Sequence, residues 1–155
     1  MSSIKTLKLN NYRNYKESIF NFLPNINIIC GKNGVGKTNI LESISLLSSG
    51  KGMLNSDAEE ILNKESLSEQ WSIFADINED EIIDAITVYL DENKKKKVKL
   101  NGNVIKGREE LNEIFNIVWV IPQMQNFFVE DRSVRRKFLD RCVYLLDVQH
   151  AKRVA

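Results

Sequence analysis

The sequence predicts an α/β fold in which a strand, a glycine-rich loop and a helix follow one another and an antiparallel β-sheet comes later. The first part rests on residues 26–47, where the apolar run INIIC leads into GKNGVGKT and then into apolar residues at helical spacing. The second part rests on later apolar, β-branched runs separated by turn residues. With 155 residues, 43% hydrophobic and 28% charged, the chain has the composition of one globular domain.

The elements around the loop are predicted from short runs and their boundaries. Residues 4–9 and 18–22 are β-prone and separated by polar residues, which predicts a hairpin or meander. Residues 26–30 predict a buried strand, because a short apolar run between turn residues is too brief for a core helix. Apolar residues at helical spacing then predict a helix over 38–47 that ends before Gly50.

The chain beyond Gly52 predicts an antiparallel sheet flanked by short helices. Ser56 is followed by Glu59 three residues later, which is the capping-box spacing at the start of a helix. The pair Asn101-Gly102 is typical of a tight hairpin. The remaining predicted elements are strands over 71–77, 82–90 and 117–121, a helix over 108–115 and a helical tail from 134.

Composition excludes several classes of protein. No apolar run reaches the roughly 18 to 20 residues of a membrane span, and the N-terminus lacks the apolar stretch of a secretion signal, so we expect a cytoplasmic protein. Cys30 and Cys142 have no metal-binding spacing and are expected to be buried. Lys and Arg predominate in residues 1–53 and 93–155, and Asp and Glu in 54–92. This asymmetry is compatible with nucleic-acid binding, although a solvated surface is the commoner explanation of any one run.

Residues 31–38, GKNGVGKT, match the phosphate-loop pattern GxxxxGK[ST] between a predicted strand and a predicted helix. Glycine allows successive amide N–H groups to converge on phosphate oxygens, and the helix that follows favours an anion at its N-terminal end. A lysine at this position supplies a cation to the β- and γ-phosphates, and the next hydroxyl is a Mg²⁺ ligand. The predicted nucleotide-binding residues are Gly31, Lys32, Asn33, Gly34, Val35, Gly36, Lys37 and Thr38, with Thr38 also a predicted metal ligand.

Four motifs in order along the chain carry a family resemblance. They are LKLNNYRNY at 7–15, the glycine loop with its flanks, KVKLNGN at 97–103 and VIPQMQNFFVEDRSVRRKFLD at 120–140. Together they resemble the N-terminal part of the RecF family, the bacterial DNA gap-repair ATPases that are related to SMC and ABC ATPases. The loop alone does not separate this family from other SMC-like ATPases, whereas its combination with the first and last motifs is specific.

The resemblance implies a fold, cofactors and partners. The implied fold is the α/β N-terminal lobe of a P-loop NTPase of the ABC/SMC type, with an antiparallel β-subdomain. The implied cofactors are ATP and Mg²⁺. The implied partners are gapped or double-stranded DNA, a second copy in an ATP-dependent homodimer and recombination mediator proteins. The implied roles are DNA replication, repair and recombination, the SOS response, and binding at single-strand gaps to support recombinase loading.

The resemblance also assigns individual residues. It places Arg13 and Asn14 near the nucleotide phosphates, with a surface cation as an equal alternative for Arg13. It places Gln123 as a ligand of Mg²⁺, although RecF-like sequences often have Glu at that point and a turn residue remains the alternative. Two basic clusters are candidate DNA contacts, with a solvated surface or a protected sheet edge as the alternative. Their members are Lys94, Lys95, Lys96, Lys97, Lys99, Arg135 and Arg136.

Two parts of a complete ATPase of this superfamily are not found in the sequence. Hydrolysis needs an apolar strand that ends in Asp-Glu and a serine-glycine signature loop from the partner subunit. Asp147 is the nearest candidate for the first and lacks the following acid. We therefore expect residues 1–155 to be an incomplete, truncated ATP-binding lobe, in which 134–155 begin a helical segment that leads into the remainder. Whether this chain by itself is an enzyme stays open, while the family it resembles contains slow ATPases.

Three alternative functions are compatible with these motifs. The first is the ATP-binding lobe of a RecF-type DNA replication and repair protein. The second is a non-catalytic fragment with residual nucleotide binding, which is favoured for the isolated polypeptide. The third is a small P-loop phosphotransferase such as a nucleotide kinase, which would usually need a lid with further Arg and Asp residues, and no such lid sequence stands out.

Overall fold

The computed structural model divides the chain into two compact units, Met1–Phe115 and Asn116–Ala155. Strands and the glycine loop belong to the first unit, and a helix occupies much of the described part of the second. The described residues are 3–48, 50–79, 82–105, 111, 115–122, 124 and 132–144.

A six-stranded sheet forms the framework of the first unit, and every pair of neighbouring strands is antiparallel. The strand order is β2-β1-β3-β4-β5-β6. Asn101 and Gly102 both have positive φ, 48° and 83°, as the tight turn between the last two strands requires. The predicted antiparallel sheet is therefore confirmed. The strands are β1 Ser3–Tyr12, β2 Tyr15–Asn21, β3 Ser72–Glu79, β4 Ile82–Leu90, β5 Lys96–Leu100 and β6 Asn103–Val104.

The core lies on one face of this sheet. Side chains alternate between the two faces of a strand, so the register places buried residues of β1, β3 and β4 side by side. Full burial of such an aliphatic side chain contributes about 1.5–3 kcal/mol. Two cross-strand rows, each with residues no more than 1% exposed, form the centre of this face: Leu7, Ala75 and Ile86, then Leu9, Ile73 and Val88.

The helix α1, Lys37–Leu46, begins directly after the glycine loop, with Gly36 as its N-cap. Its buried face includes polar side chains, whereas Leu41, which belongs to the predicted apolar stripe, is 49% exposed. At the other end, the Lys96 ammonium of β5 donates hydrogen bonds to the carbonyls of Leu46 and Gly50. A cation is favoured there because the helix dipole is negative at its C-terminal end.

The predicted buried strand over 26–30 is wrong. These residues have no partner in the sheet of the described strands, and Ile26 and Ile28 are 87% and 82% exposed. Cys30 is exposed as well, against the expected burial. A β-strand requires a neighbour for its backbone N–H and C=O groups, and an apolar run alone does not supply one.

The predicted helix that begins at Ser56 is also absent, and the following residues form turns. The Asp57 N–H does reach the Glu60 carboxylate at 3.3 Å, but the Ser56 hydroxyl donates to Glu42 at 2.9 Å. A capping box needs that hydroxyl as an acceptor for a backbone N–H. The hydrogen bond from Ser56 to Glu42 of α1 therefore takes the place of the capping bond that was predicted within 56–59.

The second unit contains the helix α2, Arg132–Tyr144, which overlaps the predicted helical tail. The predicted strand over 117–121 has no strand pairing among the described residues. Most of the predicted helix over 108–115, and residues 145–155 with Asp147, lie outside the described residues. No helix in the described part of the chain has the length and apolar character needed to cross a membrane.

We expect Ile86→Ala to lower the free energy of unfolding by about 2–5 kcal/mol, because it leaves a cavity at a fully buried position of the sheet. Ile19→Ala is the matched control, since Ile19 lies on β2 with 57% of its surface exposed, and it should change stability by less than about 0.5 kcal/mol. Urea unfolding of the three proteins measures both values. Equal losses in the two variants would contradict the assignment of the core face.

Candidate nucleotide site

The glycine loop is closely packed at Gly36, the residue that precedes α1. Gly34 and Gly36 have φ values of 84° and 103°, which glycine adopts far more readily than other residues. A Cβ on Gly36 would lie 2.6 Å from the Tyr15 hydroxyl and 2.7 Å from the Asn14 amide nitrogen. Gly36 is therefore required both by its backbone conformation and by the space around it.

The Lys37 ammonium lies against the loop that precedes it. It donates hydrogen bonds to the carbonyls of Gly31 and Lys32 at 2.8 and 2.7 Å. The loop thus curls around a cation at the N-terminal end of α1, where the first backbone N–H groups have no acceptor within the helix. Asn33 and Thr38 are exposed beside this cation. This arrangement is chemically suited to an anion with several oxygens.

Two side chains support the glycine loop, one from the β1–β2 turn and one from the first residue of β2. The Asn14 amide and the Tyr15 hydroxyl both donate to the Val35 carbonyl, at 3.2 and 3.4 Å. Asn39 of α1 donates in turn to the Asn14 side-chain oxygen at 2.8 Å. Asn14 was predicted from the sequence, whereas Tyr15 and Asn39 were not, although Asn-Tyr occurs on each side of Arg13.

The guanidinium of Arg13 is bound within the protein. It contacts both oxygens of Glu42, at 2.6 Å from Nη2 and 2.9 Å from Nε. It also donates to the Ser56 hydroxyl at 2.6 Å and to the Glu60 carbonyl at 2.9 Å. In this structure Arg13 is neither placed on the glycine loop nor a solvated surface cation, because its side chain is only 23% exposed.

Glu42 is the centre of this network and was not recognised from the sequence. It is 1% exposed and accepts a further hydrogen bond from the Tyr12 hydroxyl at 2.8 Å. Burial pushes the pKa of Glu42 upward, but the hydrogen bonds from Arg13, Tyr12 and Ser56 and the charge of Arg13 outweigh it, so the pKa is lowered. Burial and the neighbouring carboxylate raise the pKa of Tyr12. The one available signal was an acidic residue inside the predicted helix.

The lysines of the first predicted basic cluster have different surroundings. Lys96 lies at the C-terminal end of α1, Lys94 pairs with Glu59 at 3.2 Å, and the Lys99 ammonium lies 4.9 Å from the centre of the Tyr89 ring. Lys95 and Lys97 are exposed. In the second unit, Arg135 and Arg136 lie on α2, where Arg136 is 3.9 Å from the carboxylate of Asp140.

The structure describes one of the two predicted metal ligands. Thr38 lies in the first turn of α1, beside Lys37. Gln123 falls outside the described residues. Within the described part of the chain, no group of three His, Cys, Asp or Glu side chains is arranged to hold a metal ion.

Comparison with known proteins agrees with the geometry of the loop. A family model described as an AAA domain matches residues 6–145. The chain is 33% identical over 156 residues to the DNA replication and repair protein RecF of Agrobacterium fabrum, which covers 99% of this chain and 42% of that protein. RecF of Lachnoclostridium phytofermentans is 36% identical over 137 residues, 88% of this chain and 38% of that protein. The chain thus spans about two-fifths of the length of these relatives.

Solved structures give the same result. The recombination mediator protein RecF-ATPrS of the RecFOR pathway superposes with a TM-score of 0.82 at 30% identity, over 96% of this chain and 40% of that one. A structure from work on ATP-driven dimerization and DNA-stimulated activation of SMC ATPases has a TM-score of 0.69 at 22% identity, covering 90% of this chain and 98% of that one. The second likeness concerns the fold alone.

The lowered pKa of Glu42 predicts a pH-dependent stability. Its carboxylate stabilises the folded state above the ordinary glutamate pKa of about 4.3, and this contribution is lost as the pH falls through the lower pKa of the folded state. Glu42→Gln should cost up to about 3–5 kcal/mol at pH 7, because it leaves the half-buried Arg13 guanidinium without its carboxylate partner. The difference from wild type should shrink as the pH is lowered from 6 to 3.

Urea unfolding at a series of pH values measures this difference. Glu17→Gln is the control, since Glu17 is an exposed glutamate on β2, and it should follow wild type closely. A gap between wild type and Glu42→Gln that stays constant down to pH 3 would contradict the ion pair.

Proposed function

We propose that this chain, which belongs to the AAA domain family and is a RecF-like N-terminal ATPase region, is the ATP-binding lobe of a DNA replication and repair protein. The observation that carries the proposal is the glycine loop wrapped around Lys37 at the start of α1. Cation, convergent backbone N–H groups and helix dipole all favour the same anionic ligand. The match to RecF over nearly the whole chain, together with the likeness to a solved RecF-ATP structure, supports ATP as the nucleotide.

The proposed binding residues are those of the loop, 31–38. Lys37 exchanges the carbonyls of Gly31 and Lys32 for phosphate oxygens, and the loop amides donate to the same group. The Thr38 hydroxyl is the proposed ligand of Mg²⁺, with Gln123 as a second one. When bound, the metal neutralises charge on the β- and γ-phosphates.

Arg13 and Asn14 take different proposed roles. Asn14 acts on the loop, because its amide holds the Val35 carbonyl and its side chain lies beside Gly36. Arg13 already has Glu42, Ser56 and the Glu60 carbonyl as partners. Those contacts favour a supporting role for Arg13 over direct contact with phosphate.

DNA is the proposed macromolecular partner, and one face of the sheet is its proposed contact surface. The register places Lys8, Phe74, Thr87 and Lys99 in one row on the sheet face opposite the core. The Lys8 ammonium lies 5.1 Å from the Phe74 ring centre, and Lys97 shares this face with Lys99. Lys8 on β1 and Lys97 and Lys99 on β5 thus place positive charge at both sides of this face, which is suited to phosphates of a nucleic-acid backbone.

Further partners are proposed for the longer protein from its relatives. RecF is described as a recombination mediator in the RecFOR pathway, and an SMC ATPase with the same fold undergoes ATP-driven dimerization. We propose the corresponding roles here: an ATP-dependent homodimer, recombination mediator proteins as partners and DNA at single-strand gaps as the substrate. The non-catalytic fragment remains the alternative for residues 1–155 alone.

Lys37→Ala should weaken the binding of MgATP at least tenfold, which is about 1.4 kcal/mol, because it removes the cation from the phosphate site. Lys64→Ala is the matched control, since it removes the same charge from an exposed position outside the loop. Isothermal titration calorimetry on the three proteins gives the affinities. Equal affinities of wild type and Lys37→Ala would contradict the proposed role of Lys37.

The DNA proposal predicts a sequence-independent affinity that falls steeply with salt. Each phosphate that the protein neutralises adds about −0.9 to the slope of log affinity against log salt on B-form DNA. A triple Gln variant of Lys8, Lys97 and Lys99 should therefore flatten the slope by up to about 0.9 for each phosphate that it no longer neutralises. Fluorescence anisotropy with a labelled duplex at several salt concentrations measures it.

The control for this experiment carries the same reduction of charge elsewhere. A triple Gln variant of Lys16, Lys51 and Lys64, which are all exposed and outside the row, should keep the wild-type slope. A single Arg136→Gln variant tests α2 separately. Identical slopes for the two triple variants would remove the open sheet face as the DNA contact.

A further inference from the structure

Glu42 is a buried charge that the proposed binding of phosphate does not use. It lies five residues beyond Lys37 on the same helix, which corresponds to about 7–8 Å along the axis. Its partners are the side chains of Tyr12, Arg13 and Ser56, all of which lie outside the helix. Glu42 therefore connects α1 with the end of β1 and with the turn that follows it.

The last residues of β1 and the turn that follows have an unusual backbone. Asn11 and Arg13 have φ values of 48° and 51°, a region that residues with a Cβ rarely occupy. Such a conformation persists where the surroundings fix it. Here the Arg13 N–H donates to the Ile61 carbonyl at 2.7 Å, and the Asn11 carbonyl accepts from the Asn63 N–H at 2.8 Å. The guanidinium bound by Glu42 is the third attachment of the same turn.

The two residues after Arg13 lie on the glycine loop. Asn14 and Tyr15 both bond to the Val35 carbonyl, and both lie within 2.6–2.8 Å of the point that a Cβ on Gly36 would occupy. A shift of the turn therefore moves the side chains against which Val35 and Gly36 rest. Arg13, Asn14 and Tyr15 follow one another in the chain. The first contacts Glu42 and the other two contact Val35, so the position of Arg13 is coupled to the shape of the loop.

We propose that Glu42 is a positioning residue for the phosphate loop: its carboxylate holds Arg13, and Arg13 holds Asn14 and Tyr15 against Val35 and Gly36. The inference rests on the proposed function only for its effect on nucleotide affinity. The carboxylate is required because Arg13, which can only donate, contacts both of its oxygens, so the N–H₂ group of a Gln side chain would face an N–H group of Arg13 in either orientation. Removal of the charge then releases the turn and loosens the loop.

Hydrogen exchange of the ligand-free protein tests the coupling directly. Glu42→Gln should speed exchange of the Arg13 and Ile40 amides, which donate to the carbonyls of Ile61 and Gly36 at 2.7 and 3.1 Å, about tenfold or more. Asn14→Ala should do the same, because each variant removes one link between the turn and the loop. Ile86→Val, a core variant away from the network, is the control for reduced stability and should leave these amides as in wild type at an equal distance from its melting temperature. Exchange of these amides in Glu42→Gln that equals the control would overturn the proposal.

A second variant covers the case in which Glu42→Gln does not fold. Arg13→Lys keeps the positive charge but cannot form the two parallel hydrogen bonds to the carboxylate, so it should also speed exchange of the amides of residues 13 and 40. Tyr12→Phe removes one donor to Glu42 and leaves the Arg13 contact, so these amides should exchange close to the wild-type rate. Fast exchange in Tyr12→Phe with slow exchange in Arg13→Lys would also overturn the proposal.

Calorimetric titration with MgATP adds the functional readout. Glu42→Gln and Asn14→Ala should each weaken binding several-fold, and the double variant should be no weaker than the worse single variant, because both act through one path. Losses of affinity that multiply in the double variant would contradict a shared path. Failure of wild type to bind MgATP would refute the proposed function, while the exchange experiment would still decide the role of Glu42.

Discussion

The ion pair between Arg13 and Glu42 joins the helix after the phosphate loop to the turn that supports the loop. Burying a carboxylate to 1% exposure is costly unless each oxygen is satisfied. Here the Arg13 contacts at 2.6 and 2.9 Å are completed by hydroxyl groups of Tyr12 and Ser56. The penalty is offset only in one arrangement of β1, the turn, α1 and the segment around Ser56, so the pair selects that arrangement.

The sheet gives this pair a rigid base. β1 lies between β2 and β3, and its buried face is packed along most of its length, so the turn at its end has a defined position. At the opposite end of α1, Lys96 of β5 holds the last carbonyls. Polar contacts from β1 and the turn that follows it hold the middle of α1, and Lys96 of β5 holds its C-terminal end.

The proposed sites for nucleotide and for DNA use different parts of the sheet. The residues that position the loop reach α1 from the end of β1, whereas Lys8, Lys97 and Lys99 face away from the core. Antiparallel sheets of this kind can bury one face and leave the other to solvent. A nucleotide at the loop and a polyanion on the open face therefore do not compete for the same side chains, and β1 contributes to both regions.

Features that depend on residues close together in the chain could be predicted before the fold was known. The spacing of GKNGVGKT, the Asn101-Gly102 turn and the alternation along β3 and β4 each specify local geometry, so the loop and most strands were predictable. The partners of Arg13, Ser56 and Lys96 became visible only in the folded chain, because they lie 29, 14 and 46 residues away. The fold also determines that residues 26–30 pair with no described strand, since an apolar run specifies that a segment is suited to a sheet but not which neighbour is present.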